Sequence, residues 1–68
     1  MLSGTVKFYS DLLGIGFIIP NDGGRVVFIS AKALEMSGLR SLDDGQEVYF
    51  NLSEDGTNQP SAKTLQLI

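Results

Sequence analysis

Hydrophobic and polar positions alternate along this chain in short bursts, the pattern of half-buried strands rather than of helices. Residues 4–10 set Val6, Phe8 and Tyr9 among polar neighbours. Gly14-Ile15-Gly16-Phe17-Ile18-Ile19 is β-branched and aromatic, and Pro20 stops it, because proline has no N–H to give to a sheet ladder. Asn21-Asp22-Gly23-Gly24 follows, residues that tolerate the positive φ of a tight hairpin turn. Arg25-Val26-Val27-Phe28-Ile29 reads as a third strand, with Val27 and Ile29 inside and Val26, Phe28 and Ser30 on the other side. Further on, Val48, Phe50 and Leu52 alternate with Glu47, Tyr49 and Asn51. The last strand covers about 61–67, with Leu65 and Leu67 as core residues.

The pattern breaks between Ala31 and Gln46. Ala31-Lys32-Ala33-Leu34-Glu35-Met36 supports one helical turn, and Ser37-Gly38 ends it before an independent helix can form. Asp43-Asp44-Gly45 is a turn, and residues 53–60 are polar and turn-rich. Five short strands with one long irregular connection after the third predict an all-β fold over a single domain, residues 1–68. A flat sheet of this length leaves a face and both edges in water, whereas curling into a small closed or nearly closed antiparallel barrel removes them.

Composition narrows the chemistry. Hydrophobic residues make up 43% of the 68 positions and charged ones 19%, too apolar for disorder. The longest apolar runs, 17–19 and 26–29, fall far short of the ~20 residues of a membrane helix. The first seven residues have no basic stretch leading into an apolar core, so no secretory signal is expected. The chain has no Cys and no His. Thiolate metal sites, disulfides, thiol nucleophiles and imidazole bases are therefore excluded. No nucleophile has a base, so neither enzyme activity, nor a metal, nor a cofactor, nor a small-molecule substrate is expected. Gly14-Ile15-Gly16 lacks the third glycine and following helix of a dinucleotide site, and the carboxylate pairs Asp43-Asp44 and Glu54-Asp55 read as solvated turn residues. Absence of Cys fits a cytoplasmic location.

What remains is the aromatic residues. Phe17 and Phe28 have the opposite parity to Ile18, Val27 and Ile29. A barrel this small has one interior, which the aliphatic residues fill, so these rings lie outside on neighbouring strands. Exposed rings either pack beneath the connection at 31–42 or serve as a platform on which unpaired bases stack, at ~1–3 kcal/mol per base.

The residues Gly4-Thr5-Val6-Lys7-Phe8-Tyr9, Gly14-Ile15-Gly16-Phe17-Ile18, Asn21-Asp22-Gly23, Val27-Phe28-Ile29, Gly38-Leu39-Arg40-Ser41-Leu42 and Gly45-Gln46-Glu47-Val48-Tyr49-Phe50 together resemble the cold-shock domain of bacterial cold-shock proteins. Their order and spacing match that family over essentially the whole chain. The resemblance implies a five-stranded antiparallel OB-type barrel that binds single-stranded RNA or DNA on an outer aromatic face, in an RNA-chaperone or antitermination role. Carried over by position, the implied binding residues are Lys7, Phe8, Tyr9, Phe17 and Phe28. Ile15, Ser30, Lys32 and Arg40 are weaker candidates. The RNA-recognition motif, which also has a Gly- and aromatic-rich strand, needs two packed helices that this chain lacks.

The departures fall on that face. Where the family reads Lys-Gly-Phe-Gly-Phe, this chain has Leu13-Gly14-Ile15-Gly16-Phe17. Where the family reads Val-Phe-Val-His-Phe, it has Val27-Phe28-Ile29-Ser30-Ala31, and Phe8 takes the usual Trp position. With fewer rings, weaker binding than in aromatic-complete members is expected. A rival expectation is that Leu13, Ile15, Phe17 and Phe28 form an apolar patch for a protein partner or for self-association; the default is a monomer, with a dimer as the alternative.

Charge sharpens this picture. The net charge is −3, yet it is unevenly placed. Residues 1–42 carry a net +1, with Lys7, Arg25, Lys32 and Arg40 against Asp11, Asp22 and Glu35. Residues 43–68 carry a net −4. The acidity follows the proposed face rather than occupying it, so it does not veto nucleic-acid binding, but it excludes tight binding driven by charge.

Overall fold

A computed structural model describes residues 2–53 and 60–68. The Glu54-Asp55 pair lies outside the described residues. Strands β1 (Leu2–Ser10), β2 (Ile15–Pro20) and β3 (Val27–Ser30) lead into a short helix α1 (Ala31–Met36), followed by β4 (Glu47–Leu52) and β5 (Ala62–Leu67). The strands form one sheet in the order β3-β2-β1-β4-β5, with antiparallel neighbours throughout. It curls until its two edge strands meet. Phe28 and Ser61 form a parallel bridge, and the Phe28 N–H donates to the Pro60 carbonyl at 2.8 Å. The expected all-β OB-type barrel is thus the observed fold.

The alternating residues fill the interior. Val6, Ile18, Val27, Ile29, Val48, Phe50 and Leu65 are buried, and Ala33, Leu34 and Leu42 join them from α1 and the connection after it. Helix α1 forms where one helical turn was expected, packed on β3 and β5. Ser30 caps its N-terminus, its Oγ accepting from the Ala33 N–H at 3.2 Å. Gly38, at φ +76, ends it in the left-handed conformation that glycine adopts without strain.

Three local expectations are corrected. β3 begins at Val27, two residues later than the expected start at Arg25, because the turn is a longer one. Within it the Gly23 N–H donates to the Pro20 carbonyl and Gly24 N–H to Asp22 Oδ1. Leu52, expected on the same face as the buried Val48 and Phe50, is exposed, since the β4–β5 register shifts between Asn51 and Leu52 and breaks the alternation. Leu67 is also exposed: it faces Val48 across the ladder but is the last residue of β5, at the rim of the barrel.

Candidate nucleic-acid interface

The outer surface of β1, β2 and β3 is a small grid set by register. Phe8 lies opposite Phe17, and Phe17 opposite Phe28. Directly paired residues share a face, so the three phenylalanines form one row across the strands. The next row is Ser10, Ile15 and Ser30, paired in the same way. Phe8 is exposed, and Phe17 and Phe28 are half-buried against each other, with ring centroids 5.8 Å apart and planes at 73°. The edge-to-face pair leaves ring surface toward solvent. Neither ring packs into the core; among the described residues, the partly buried side chains packed on it are Tyr9 and Leu39.

The row depends on a β-bulge. The β1–β2 register shifts between Val6 and Phe8, so Lys7 and Phe8 together oppose one position of β2. Strict alternation from the buried Val6 would have turned Phe8 inward; the extra residue turns it out beside Phe17 and leaves Lys7 exposed at the end of the aromatic row. Tyr9 is carried the other way. It pairs with Gly16, half-buried against the core rather than beside the three phenylalanines. Gly16 makes room for it, since a Cβ there would stand 2.7 Å from Tyr9 Cδ1 and 2.5 Å from the Phe8 carbonyl oxygen. Burial, with the Asp11 carboxylate adding to it, raises the Tyr9 phenol above its ordinary pKa.

The turn between β1 and β2 continues this face. Ser10 Oγ accepts from the Leu13 N–H at 3.2 Å, and the Ser10 carbonyl from the Gly14 N–H at 2.7 Å. The Gly14 carbonyl in turn accepts from the Ala31 N–H at 2.9 Å, tying the turn to the start of α1. Lys32, next to Ala31, is exposed, as is Arg40 beside Ser41, whose Oγ donates to Asp11 Oδ2 at 3.3 Å. On the far side, Gly45 donates to the Val6 carbonyl at 2.7 Å, so the Asp43-Asp44 turn is anchored close to Lys7. Of the residues implied by resemblance, Lys7, Phe8, Phe17, Phe28, Ile15 and Ser30 share one face, Lys32 and Arg40 flank one end, and Tyr9 lies beneath. Ser10 completes the second row and was missed, because its direction depends on the bulge. Ser30, implied as a ligand contact by resemblance, is also the cap of α1, which a serine directly before Ala-Lys-Ala-Leu signals.

The architecture is that of a small OB-type barrel with an outward aromatic row on its first three strands. Comparison with known proteins is consistent with it. The 'Cold-shock' DNA-binding domain family matches residues 2–68. The chain is 47% identical over 55 residues to "Cold shock protein CspA" of Rhizobium meliloti (strain 1021), covering 81% of this chain and 80% of that one. It is 43% identical over 67 residues to "Probable cold shock protein y4cH" of Sinorhizobium fredii (strain NBRC 101917 / NGR234), covering 97% of each. It is 38% identical over 61 residues to "Cold shock-like protein CspE" of Escherichia coli (strain K12), covering 90% of this chain and 87% of that one. The chain belongs to the cold-shock domain family, whose members are non-catalytic nucleic-acid-binding proteins. No helix among the described residues is long and apolar enough to cross a membrane.

Proposed function

We propose that this chain binds single-stranded RNA or DNA without catalysis, by stacking bases on Phe8, Phe17 and Phe28 with Lys7 near the phosphate backbone. The observation that carries this reading is the outward row of three rings across β1, β2 and β3. Tyr9, packed against the core on the other side of β1, is not counted as a stacking surface. Ile15 and Ser30 contribute apolar contact and a hydroxyl where a ring and an imidazole stand in the family pattern. Binding of this kind disfavours nucleic-acid secondary structure by mass action, which fits an RNA-chaperone or antitermination role for a single-domain cytoplasmic protein.

Affinity should be about 10²–10³-fold below that of an aromatic-complete member, since each lost stack is worth ~1–3 kcal/mol and such losses are not fully additive. With two or three phosphate contacts, log K should fall with log salt at a slope of only about −1.5 to −2. Fluorescence anisotropy of a short oligo-dT at several salt concentrations measures both. Nanomolar affinity with a steep slope would show that the binding face lies elsewhere.

A second reading has one observation in its favour. The outward side of β2 is apolar throughout, Ile15, Phe17 and Ile19, and Leu13 of the preceding turn extends it. Such a strip suits a protein partner or self-association. Amide-shift titration with oligo-dT beside sedimentation over a dilution series separates the two. Shifts on β1–β3 support nucleic acid; silence with concentration-dependent mass supports the repurposed surface.

A further inference from the structure

Ser10 and Ser30 stand on either side of Ile15 in the second row of the outer face, each paired directly with it across the ladder. All three are half-buried. A backbone N–H fixes each serine oxygen in place: Ser10 Oγ accepts from Leu13 and Ser30 Oγ from Ala33, both at 3.2 Å. The hydroxyls of Ser37 and Ser41 donate to Ala33 and Asp11. Those of Ser10 and Ser30 donate to no group among the described residues. A serine hydroxyl carries a proton as well as lone pairs, and accepting an N–H polarises it toward donating. The row is therefore an apolar floor with a free, oriented donor at each end.

We infer that this row is a base-reading subsite, in which one keto pyrimidine, uracil or thymine, lies flat on Ile15 and accepts one hydrogen bond from Ser10 and another from Ser30. The inference rests on the proposed single-strand binding and names the base that one position of the strand prefers. Spacing supports it. Neighbouring strands lie about 4.8 Å apart, so two spacings separate the serines by about 10 Å. An O–H···O bond of about 2.7 Å from each leaves roughly 4–5 Å between the two acceptors. The two carbonyl oxygens of a single uracil or thymine ring stand at that separation. Cytosine keeps one of them and carries an amino group in place of the other, which sets a donor against a donor.

This selectivity is separate from the aromatic row. Phe8, Phe17 and Phe28 accept any base, because every base has a π-face. The second row has no ring, and its apolar floor is flanked by hydroxyls that address the base edge instead. Where the family pattern has a ring and an imidazole, at Ile15 and Ser30, this chain therefore trades stacking area for hydrogen-bond readout at one base. Neither serine is charged, so the readout does not depend on counterion release.

The test titrates oligo-dU and oligo-dC of equal length by fluorescence anisotropy against the wild type, S10A/S30G and S10T/S30T. The two ligands have the same charge and ring size and differ at the base edge. The wild type should bind oligo-dU at least about fivefold more tightly, the return of two hydrogen bonds at the low end of their net worth. That ratio should not change with salt, since both ligands release the same counterions. S10A/S30G should bind both ligands alike, with the wild type's affinity for oligo-dC. Glycine is tolerated as a helix cap, so circular dichroism should show this variant folded. S10T/S30T keeps both hydroxyls and should keep the preference. Equal binding of the two ligands by the wild type, a comparison that needs no variant, overturns the subsite while leaving single-strand binding intact. A preference that survives in S10A/S30G does the same. Failure of the wild type to bind either oligonucleotide overturns the parent reading and the subsite with it.

Discussion

Ser37 Oγ accepts the Leu65 N–H at 2.9 Å and donates to the Ala33 carbonyl at 2.8 Å, so one hydroxyl joins the end of α1 to the edge of β5. Among the described residues, β3 meets the start of that strand through the Phe28–Ser61 bridge and the Phe28 N–H to Pro60 carbonyl bond, well before Leu65. Without Ser37 the Leu65 N–H would be an unpaired donor in a partly buried position, on a sheet edge open to another chain. The short helix thus closes the part of the barrel that the strands leave open.

Ser37→Ala is therefore expected to cost about 1–3 kcal/mol, the penalty of orphaning a buried donor. A disulfide-free domain of this size has only roughly 3–5 kcal/mol in hand, so the loss should be plain in a urea melt. Oligonucleotide affinity of the folded fraction should not change, because the aromatic row lies on other strands. An unchanged urea midpoint would show that water replaces the hydroxyl.

Replacing Phe17 and Phe28 together by Ala should lower single-strand affinity by at least about thirtyfold, the equivalent of two stacks at the low end of ~1–3 kcal/mol each. The barrel should stay folded, because neither ring belongs to the core cluster. Loss of their mutual edge contact, worth about 0.5–1.5 kcal/mol, should lower the melting temperature modestly. Anisotropy and circular dichroism on the same sample give both quantities. Oligonucleotide binding that survives the double change would sink the stacking mechanism.

The sidedness of β2 and β3 was legible from period two alone, because no irregularity interrupts either strand: Ile18, Val27 and Ile29 are buried and Phe17 and Phe28 face out, as their parity requires. β1 was not legible in the same way. The bulge at Lys7 and Phe8 inverts the parity of everything after Val6, and no residue in Val6-Lys7-Phe8-Tyr9 marks it, since the partner strand decides where the ladder shifts. Resemblance supplied Phe8 correctly as an outward residue, but it grouped Tyr9 with it, whereas the register separates them. Leu52 and Leu67 failed for the related reason that alternation carries no information about a register shift or a strand end. The Ser37–Leu65 bond spans 28 positions, and nothing local announces it.

Tyr9 makes stability depend on alkaline pH. Burial first, and Asp11 second, raise the pKa of its phenol, so the folded chain holds this proton more tightly than the unfolded chain, whose phenol titrates near the ordinary value of about 10. The contribution is complete below the unfolded pKa and is lost as pH rises through the folded one. Thermal melts of the wild type from neutral to above pH 10 should therefore fall more steeply than those of Tyr9→Phe. Parallel curves would mean that the ring opens to solvent before it ionises.

The weakness attributed to the binding face can be reversed at one position. Ile15 points outward between Ser10 and Ser30, one row from the three phenylalanines, and its side chain takes no part in the core cluster. Ile15→Phe adds a ring there without moving a cap or a bulge. Ser30 is unsuitable for the same purpose, since losing its cap on α1 would cost about 0.5–2 kcal/mol of stability. If bases stack on this face, Ile15→Phe should tighten single-strand binding by about fivefold or more, the return expected from one additional stack of ~1–3 kcal/mol. The salt slope should stay as it was, because no cation is added. A protein-binding surface would behave differently: the larger ring would leave oligonucleotide affinity untouched and alter only association with the partner. Anisotropy titrations of the two chains side by side decide between these outcomes, and a gain in affinity is harder to mistake for misfolding than any loss.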